Sequence, residues 1–212
     1  MKDKVVLITA GPTKEYIDPV RYISNDSSGK MGYILAEESK RIGKVILVSG
    51  PTKIKPPKKV KFIKVISALE MYYQVKKYLK KCDIFISCAA VCDFRVKNAS
   101  KYKIKKSNKS IKLELIPNHD ILMEASCSKN GKDKIMVGFA LETNNLINNA
   151  IWKLKKKKLD IIIANIASAL NNDKSTGAII TKYKIESFNN LSKQILAKRI
   201  IGKILKSNKK GD

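Results

Sequence analysis

The sequence predicts a three-layer α/β fold with a mainly parallel central sheet. Three observations carry the prediction: short apolar runs rich in branched residues recur along the chain, amphipathic helical stretches alternate with them, and the central run at residues 84–90 is apolar without alternation, as in a strand buried on both faces. Residues 4–9, 45–49, 60–65, 83–89, 111–116, 134–139, 160–164 and 177–181 read as strands. Helical spacing occupies 30–42, 68–81, 120–128, 146–157 and 191–205; in the second of these Leu69, Met71 or Tyr72, Val75 and Leu79 share a face. Two segments break the alternation, a proline- and lysine-rich connection at 51–59 and a polar, lysine-rich stretch at 97–110 that reads as a flexible flap. In open sheets of this kind ligands bind beyond the carboxyl ends of the strands, so the residues after each strand are where chemistry is sought.

At 212 residues the chain suits one large α/β domain or two small ones. The apolar run at 5–9 ends at once in Gly11 and Pro12, and no stretch approaches the roughly 18 continuous apolar residues of a membrane span. A cytoplasmic protein is expected. Cys82, Cys88, Cys92 and Cys127 form no CxxC pair, and His119 is the sole histidine, so a structural zinc site is not supported and four buried, reduced thiols are expected. The net charge of +26 raises a nucleic-acid reading. Against it, arginine stands only at 21, 41, 95 and 199, and the lysine excess accompanies abundant isoleucine and asparagine, as an AT-rich coding bias produces. Most of the charge reads as solvated surface, and the few arginines become more informative.

After the first strand, residues 9–13 read TAGPT and a long loop ends in SSGKMG at 27–32. Ser28, Gly29, Lys30 and Gly32 open a helix whose first N–H groups suit an anion. A P-loop is excluded, since Ser24 stands where its first glycine belongs and Met31 follows Lys30. A dinucleotide fingerprint fails as well, because the second strand ends in Gly50 and Pro51 with no ribose-binding acid. Between these motifs, Arg21 and Asn25 suit recognition of a phosphate or an activated carboxyl group. After the central strand, CAAVCDFR at 88–95 has small residues for close backbone approach, and Asp93 suits a ribose hydroxyl or a metal ion. KIKK at 103–106 lies in the flap, GFALET at 138–143 follows a strand, and Lys153 and Lys157 share a helix face.

Taken in order, ITAGPTKEYIDPVRYISNDSSGKMG, LVSGP, ALEM, CAAVCDFR, KIKK, NHDIL, VGFALET and DIIIAN resemble the phosphopantothenoylcysteine synthetase family across nearly the whole chain, and the KxKK flap resembles its bacterial, CTP-using branch. The resemblance implies a three-layer Rossmann-like fold over 1–206, with 207–212 expected to be a disordered tail. It implies a ligase of coenzyme A synthesis that joins 4′-phosphopantothenate to L-cysteine through an acyl-cytidylate formed from CTP with Mg2+, the metal's ligands being left unknown. It also implies a homodimer, with phosphopantothenoylcysteine decarboxylase activity carried elsewhere. By the same resemblance Asn25 handles the acyl-cytidylate, Lys103 promotes its formation, and Arg21 reaches the pantothenoyl part, from the partner subunit of the dimer. CTP is assigned Ser87, Cys88, Ala89, Asp93, Lys103, His119, Asp120, Ile121, Leu122, Phe139, Lys153 and Lys157.

Three departures accompany it. His119 replaces a usual proline and is expected to point outward, GFALET and AAVCDFR carry packing-scale changes, and the segment at 170–180 is shortened. Two other readings remain. A short-chain oxidoreductase needs a Tyr-x-x-x-Lys pair, and Tyr73 with Lys77 stands before the central strand rather than after it; a lysine-rich nucleic-acid-binding module is the other.

Overall fold

Residues 4–166 and 172–207 are described in the computed structural model. In chain order the elements begin β1 (Lys4–Ala10), β2 (Lys14–Tyr16), β3 (Tyr22–Ser24), α1 (Lys30–Ser39), β4 (Gly43–Ser49), β5 (Lys61–Lys64) and α2 (Ala68–Leu79). They continue with β6 (Ile84–Ser87), β7 (Phe94–Val96), β8 (Leu115–Pro117) and α3 (Ile121–Cys127). The last are β9 (Ile135–Glu142), α4 (Leu146–Lys156), β10 (Ile161–Ile166), β11 (Lys174–Thr181), β12 (Ile185–Ser192) and α5 (Lys193–Lys206).

Eight strands form one sheet in the order β12-β11-β10-β9-β6-β1-β4-β5. The six from β10 to β5 are parallel. Numbered among themselves from the β5 edge they run 3-2-1-4-5-6, the strand order of the doubly wound nucleotide-binding folds. The order reverses between β1 and β6, and this switch point is where such sheets open a crevice. The β11–β12 hairpin adds an antiparallel edge.

Alternation along the parallel strands separates two cores. Leu7, Val48, Phe85, Met136 and Ile162 face one way, against α2, α3 and α4 through Met71, Val75, Leu122 and Leu154. Val6, Ile8, Leu47, Ile86, Ile161 and Ile163 face the other way, against α1 and α5 through Leu35, Ala36, Leu196, Ile200 and Ile201. Burying a side chain of this size contributes about 1.5–3 kcal/mol, so the sheet is held from both sides as its unbroken apolar strands require.

Helix starts are satisfied locally. Ser67 accepts from Glu70 N to cap α2, and Glu15 accepts from Ala68 N at 2.8 Å. Burial raises the Glu15 pKa, against the hydrogen bonds from Ala68 and Thr13 that lower it. Ser192 caps α5 by accepting from Ile195 N. Like α4, which starts at Asn145 (φ 47°), α1 has a left-handed N-cap without a side-chain hydrogen bond, here Gly29 (φ 76°). One turn later Gly32 lies so close to β1 that a Cβ there would stand 2.5 Å from the Ala10 Cβ.

The predicted helices are present with ends shifted by a few residues. The strand expected at 111–116 is confined to β8, which pairs with β7 at the base of the lysine-rich loop. β2, β3 and β7 are three residues each, too short for a period-2 pattern to register. The sequence pattern does not reveal β12, because only Phe188 of its eight residues is buried, and its end at Ser192 moves the start of α5 from 191 to 193. The expectation of four buried thiols is corrected: Cys82 and Cys92 are buried, Cys88 is half-buried and Cys127, the last residue of α3, is exposed. Of the expected disordered tail only Ser207 is described, where its N–H donates to Lys203 O at the end of α5; 208–212 lie outside the described residues, as do 170 and 171 of the shortened segment.

Gly32→Ala is expected to lower unfolding free energy in urea by about 1–3 kcal/mol through overpacking against β1, and Ala10→Gly in the same chain to recover most of the loss. An unchanged urea midpoint for the single variant would contradict the close approach of α1 to β1.

Candidate active site

The loops leaving β1 and β6 are joined to each other at the switch point. Cys88 N donates to Thr9 O (3.2 Å), Ala90 N to Gly11 O (2.9 Å) and Thr13 N to Ala90 O (3.3 Å). Thr13 Oγ1 then accepts from Cys92 N (3.0 Å). The paired loops extend the β1–β6 ladder beyond the sheet, and clefts open on both sides of residues 89–90.

The larger cleft, of about 560 Å3, is lined by Asn25, Ser87, Ala89, Asp93, the 119–122 turn, Phe139, Lys153 and Lys157, among others. The structure thus brings together residues from five separate parts of the chain. Asn25 Nδ2 donates to Val91 O (2.9 Å), which fixes the amide at the junction of the two loops. Lys153 of α4 and Lys157, which caps that helix, line this cleft, Lys153 paired with Glu142 (2.6 Å) and Lys157 with Asp120 (2.8 Å). The Glu142 carboxyl is raised by burial but lowered by more through Lys153 and Asn149, leaving it below the ordinary glutamate range. Asp120 also caps α3, accepting from Met123 N. His119 is exposed, as expected, but it is not free: its ring stacks on Tyr72 and its Nδ1 lies 2.7 Å from Glu124 Oε1.

The smaller cleft, of about 200 Å3, is lined by Ser28, Gly29, Lys30 and Gly32 at the start of α1, with Cys88, Asn165, Ser175 and Lys193 opposite. Both clefts share residues 89–90 and 139–141. Cys88 therefore lies on the α1 side, and burial pushes its thiol up to about 12, which leaves it an unreactive wall. Lys193 is buried, and desolvation, with Lys30 adding to it, lowers its pKa. Asn165 Oδ1 is buried without a hydrogen-bond partner among the described residues, and Lys30 pairs with Asp173.

Arg21 and Lys103 line neither cleft. Arg21 is held by Asp18, a carboxylate with a fully buried side chain. Asp18 accepts from Val20 N, Arg21 N and Arg21 Nε at 2.8–3.0 Å, and from Ile104 N, in the flap, at 3.1 Å. Arg21 in turn donates to Ile104 O. The residue after Lys103 is thus latched from both its N–H and its carbonyl. Burial raises the Asp18 carboxyl, but these donors outweigh it and hold it well below the usual carboxylate range. Tyr73, of the oxidoreductase reading, is exposed on α2 and lines neither cleft.

Sequence reasoning missed Asp18, Asn165 and Lys193. Lys193 left a legible signal: it falls on the stripe of Leu196, Ala197, Ile200 and Ile204, where a lysine is out of place. Asp18 left none, because its flap partner is 86 residues away.

A 3-2-1-4-5-6 sheet with a divided cleft at its switch point defines a Rossmann-type α/β domain. The chain belongs to the family described as the DNA/pantothenate metabolism flavoprotein C-terminal domain, whose model matches residues 1–207. It is 41% identical over 204 residues to the coenzyme A biosynthesis bifunctional protein CoaBC of Borreliella burgdorferi, covering 95% of this chain and 52% of that protein. The Haemophilus influenzae protein of the same name is 43% identical over 209 residues, covering 97% and 52%. The chain thus spans about half the length of these curated relatives. A crystal structure of the C-terminal domain of a CoaBC protein aligns with a TM-score of 0.82 at 35% identity, over 96% of this chain and 95% of that one.

The lowered Asp18 pKa has a definite sign in linkage. Its contribution to stability is fully present above the ordinary value of 3.8 and is lost as pH falls below it. Asp18→Asn is expected to be less stable than wild type at pH 7, with the gap closing below pH 3.8, and to leave the flap more open to limited proteolysis at 97–114. Urea titrations across pH check the first point; a gap that does not vary with pH would contradict the latch.

Proposed function

We propose that the chain is a phosphopantothenate–cysteine ligase domain of coenzyme A biosynthesis. It condenses 4′-phosphopantothenate with L-cysteine, driven by CTP, to give 4′-phosphopantothenoylcysteine, CMP and pyrophosphate. The observation that carries this reading is the meeting of two clefts at residues 89–90, one lined by lysines and one by a helix start with a buried lysine. A reaction that joins a nucleotide to the carboxyl end of a phosphorylated acid needs two anionic substrates held end to end.

On this reading the 4′-phosphate enters the smaller cleft, where the first N–H groups of α1 and the Lys193 ammonium meet it. The phosphate supplies the counter-charge that burial denies Lys193. CTP occupies the larger cleft, its phosphates drawing on Lys153 and Lys157 and its base near the 118–122 turn. At the junction the carboxylate oxygen bonds to the α-phosphorus while the bond to the β-phosphate oxygen breaks, releasing pyrophosphate. The cysteine amine then bonds to the acyl carbon, the acyl C–O bond breaks, CMP leaves and the amine gives up a proton. Asn25, beside residues 89–91, is placed to hold the acyl-cytidylate. Lys103 acts from the flap, whose neighbouring residue Asp18 anchors.

Mg2+ suits the same site as a companion of the triphosphate. Among the described residues no group of three or more His, Cys, Asp or Glu is gathered to hold a metal, while Asp26 and Asp93 line the larger cleft. That is the donor set of an ion held mostly by phosphate and water, where it would offset triphosphate charge. Arg21 is absent from the lining of the larger cleft, and Tyr16, Val20, Tyr22 and Phe94 are exposed large apolar residues. Both support a homodimer in which Arg21 serves the partner subunit's site. The relatives' name as bifunctional proteins of coenzyme A biosynthesis supports a second activity beside this one, which on this reading is phosphopantothenoylcysteine decarboxylase, acting in the cytoplasm. Among the described residues no helix is long and apolar enough to cross a membrane.

Pyrophosphate release is expected to require both CTP and 4′-phosphopantothenate, and CMP release to require cysteine in addition. Absence of pyrophosphate with every nucleoside triphosphate tested would falsify the reading. Asn25→Asp is expected to keep the first half-reaction and lose the second by about 100-fold, and Lys103→Gln to lose the first by a similar factor. Lys193→Met is expected to raise the KM for 4′-phosphopantothenate by about 10-fold or more, as loss of a charged hydrogen bond does, with the KM for CTP little changed; equal effects on both would remove Lys193 from the phosphate end.

A further inference from the structure

The turn at 118–120 lines the larger cleft and is anchored to a different part of the fold at each position. Asn118 Nδ2 donates to Cys92 O (2.9 Å), which ties the turn to the loop after β6. Asp120 caps α3 and meets Lys157 at the C-terminal end of α4. Between them His119 lies flat on Tyr72 of α2, with ring centroids 4.1 Å apart and planes 3° from parallel, and with Nδ1 2.7 Å from Glu124 Oε1. A proline would stiffen such a turn by fixing its own φ. Histidine lacks that restraint, and the stack on α2 supplies another from outside the backbone.

We infer that the His119–Tyr72 stack is a positioning device that holds the 118–120 turn in the shape that receives the nucleotide, an inference that rests on the nucleotide reading of the larger cleft. Neither ring has to react. The stack acts by removing conformations of the turn that CTP would otherwise have to select against, so its effect falls on nucleotide affinity rather than on the chemical step. It also links α2, which lines neither cleft, to the site.

Because His119 is the sole histidine, its ring protons are the only histidine signals in a 1H–13C correlation spectrum. They are expected to be shifted upfield by the Tyr72 ring in the wild-type chain and to return toward free-histidine positions in Tyr72→Leu. Calorimetry with CTP alone is expected to show His119→Ala weakening binding about fivefold, the size of one lost aromatic stack, with kcat at saturating CTP within about twofold of wild type. His119→Phe, which keeps a stacking ring and loses the bond to Glu124, is expected to recover most of the affinity. If Tyr72→Leu fails to fold, the His119 variants, at an exposed position, carry the test. Wild-type CTP affinity in His119→Ala, failure of phenylalanine to rescue it, or a fall in kcat with affinity intact would each overturn the inference. A wild-type chain that binds no CTP would overturn the nucleotide reading, and the inference with it.

Discussion

The pairing of the loops that leave β1 and β6 is the constraint on which the site depends. In a parallel sheet the two central strands end side by side, and their onward chains ordinarily part toward opposite layers. Here the chain at 9–13 instead stays bonded to 88–92 through three backbone bonds and the buried Thr13 hydroxyl. That ridge divides the crevice in two. Its small residues, Gly11, Ala89 and Ala90, keep both sides open to a ligand backbone. Asn25 is tied to the same ridge through Val91, so the amide is positioned by the rigid centre of the sheet although it sits in a loop.

Charge is distributed around this ridge in an ordered way despite the large excess of lysine. Most lysines are solvated and carry little structural energy. Those at the clefts differ: Lys153 and Lys157 are held by Glu142 and Asp120, and Lys193 is buried at the start of α5. Acids hold Lys153 of α4 and its C-cap Lys157 in place, while desolvation lowers the Lys193 pKa, so that an anion beside it would favour the charged form. Asp18 works in the opposite sense, an anion surrounded by donors that fastens the flap to the hairpin of β2 and β3.

The central sheet was legible because its strands are buried on both faces, and that burial leaves unbroken apolar runs such as 84–86. The β12 edge was not legible, since an edge strand with one buried side chain has the composition of a loop. Motif spacing located the helix start at Gly29 and Gly32, and with the family resemblance it also located most of the cleft lining. Sequence could not show that Cys88 falls on the α1 side of the ridge, because neighbouring residues in an extended chain point to opposite sides. Nor could it show the Asp18 latch or the His119–Tyr72 stack, where the partners are brought together only by tertiary packing. Lys193 was legible in principle, and the lysine-rich background hid it.

The central claim is that the two clefts hold the two ends of one reaction intermediate across residues 89–90. A crystal structure of the protein incubated with CTP, Mg2+ and 4′-phosphopantothenate, with cysteine withheld, tests it most directly. The account predicts continuous density for an acyl-cytidylate, with the 4′-phosphate at Gly29 and Lys193, the acyl-phosphate link beside Asn25 and Ala89, and the cytidine against the 118–122 turn. A nucleotide bound away from the larger cleft, or both anions crowded on one side of the ridge, would contradict it.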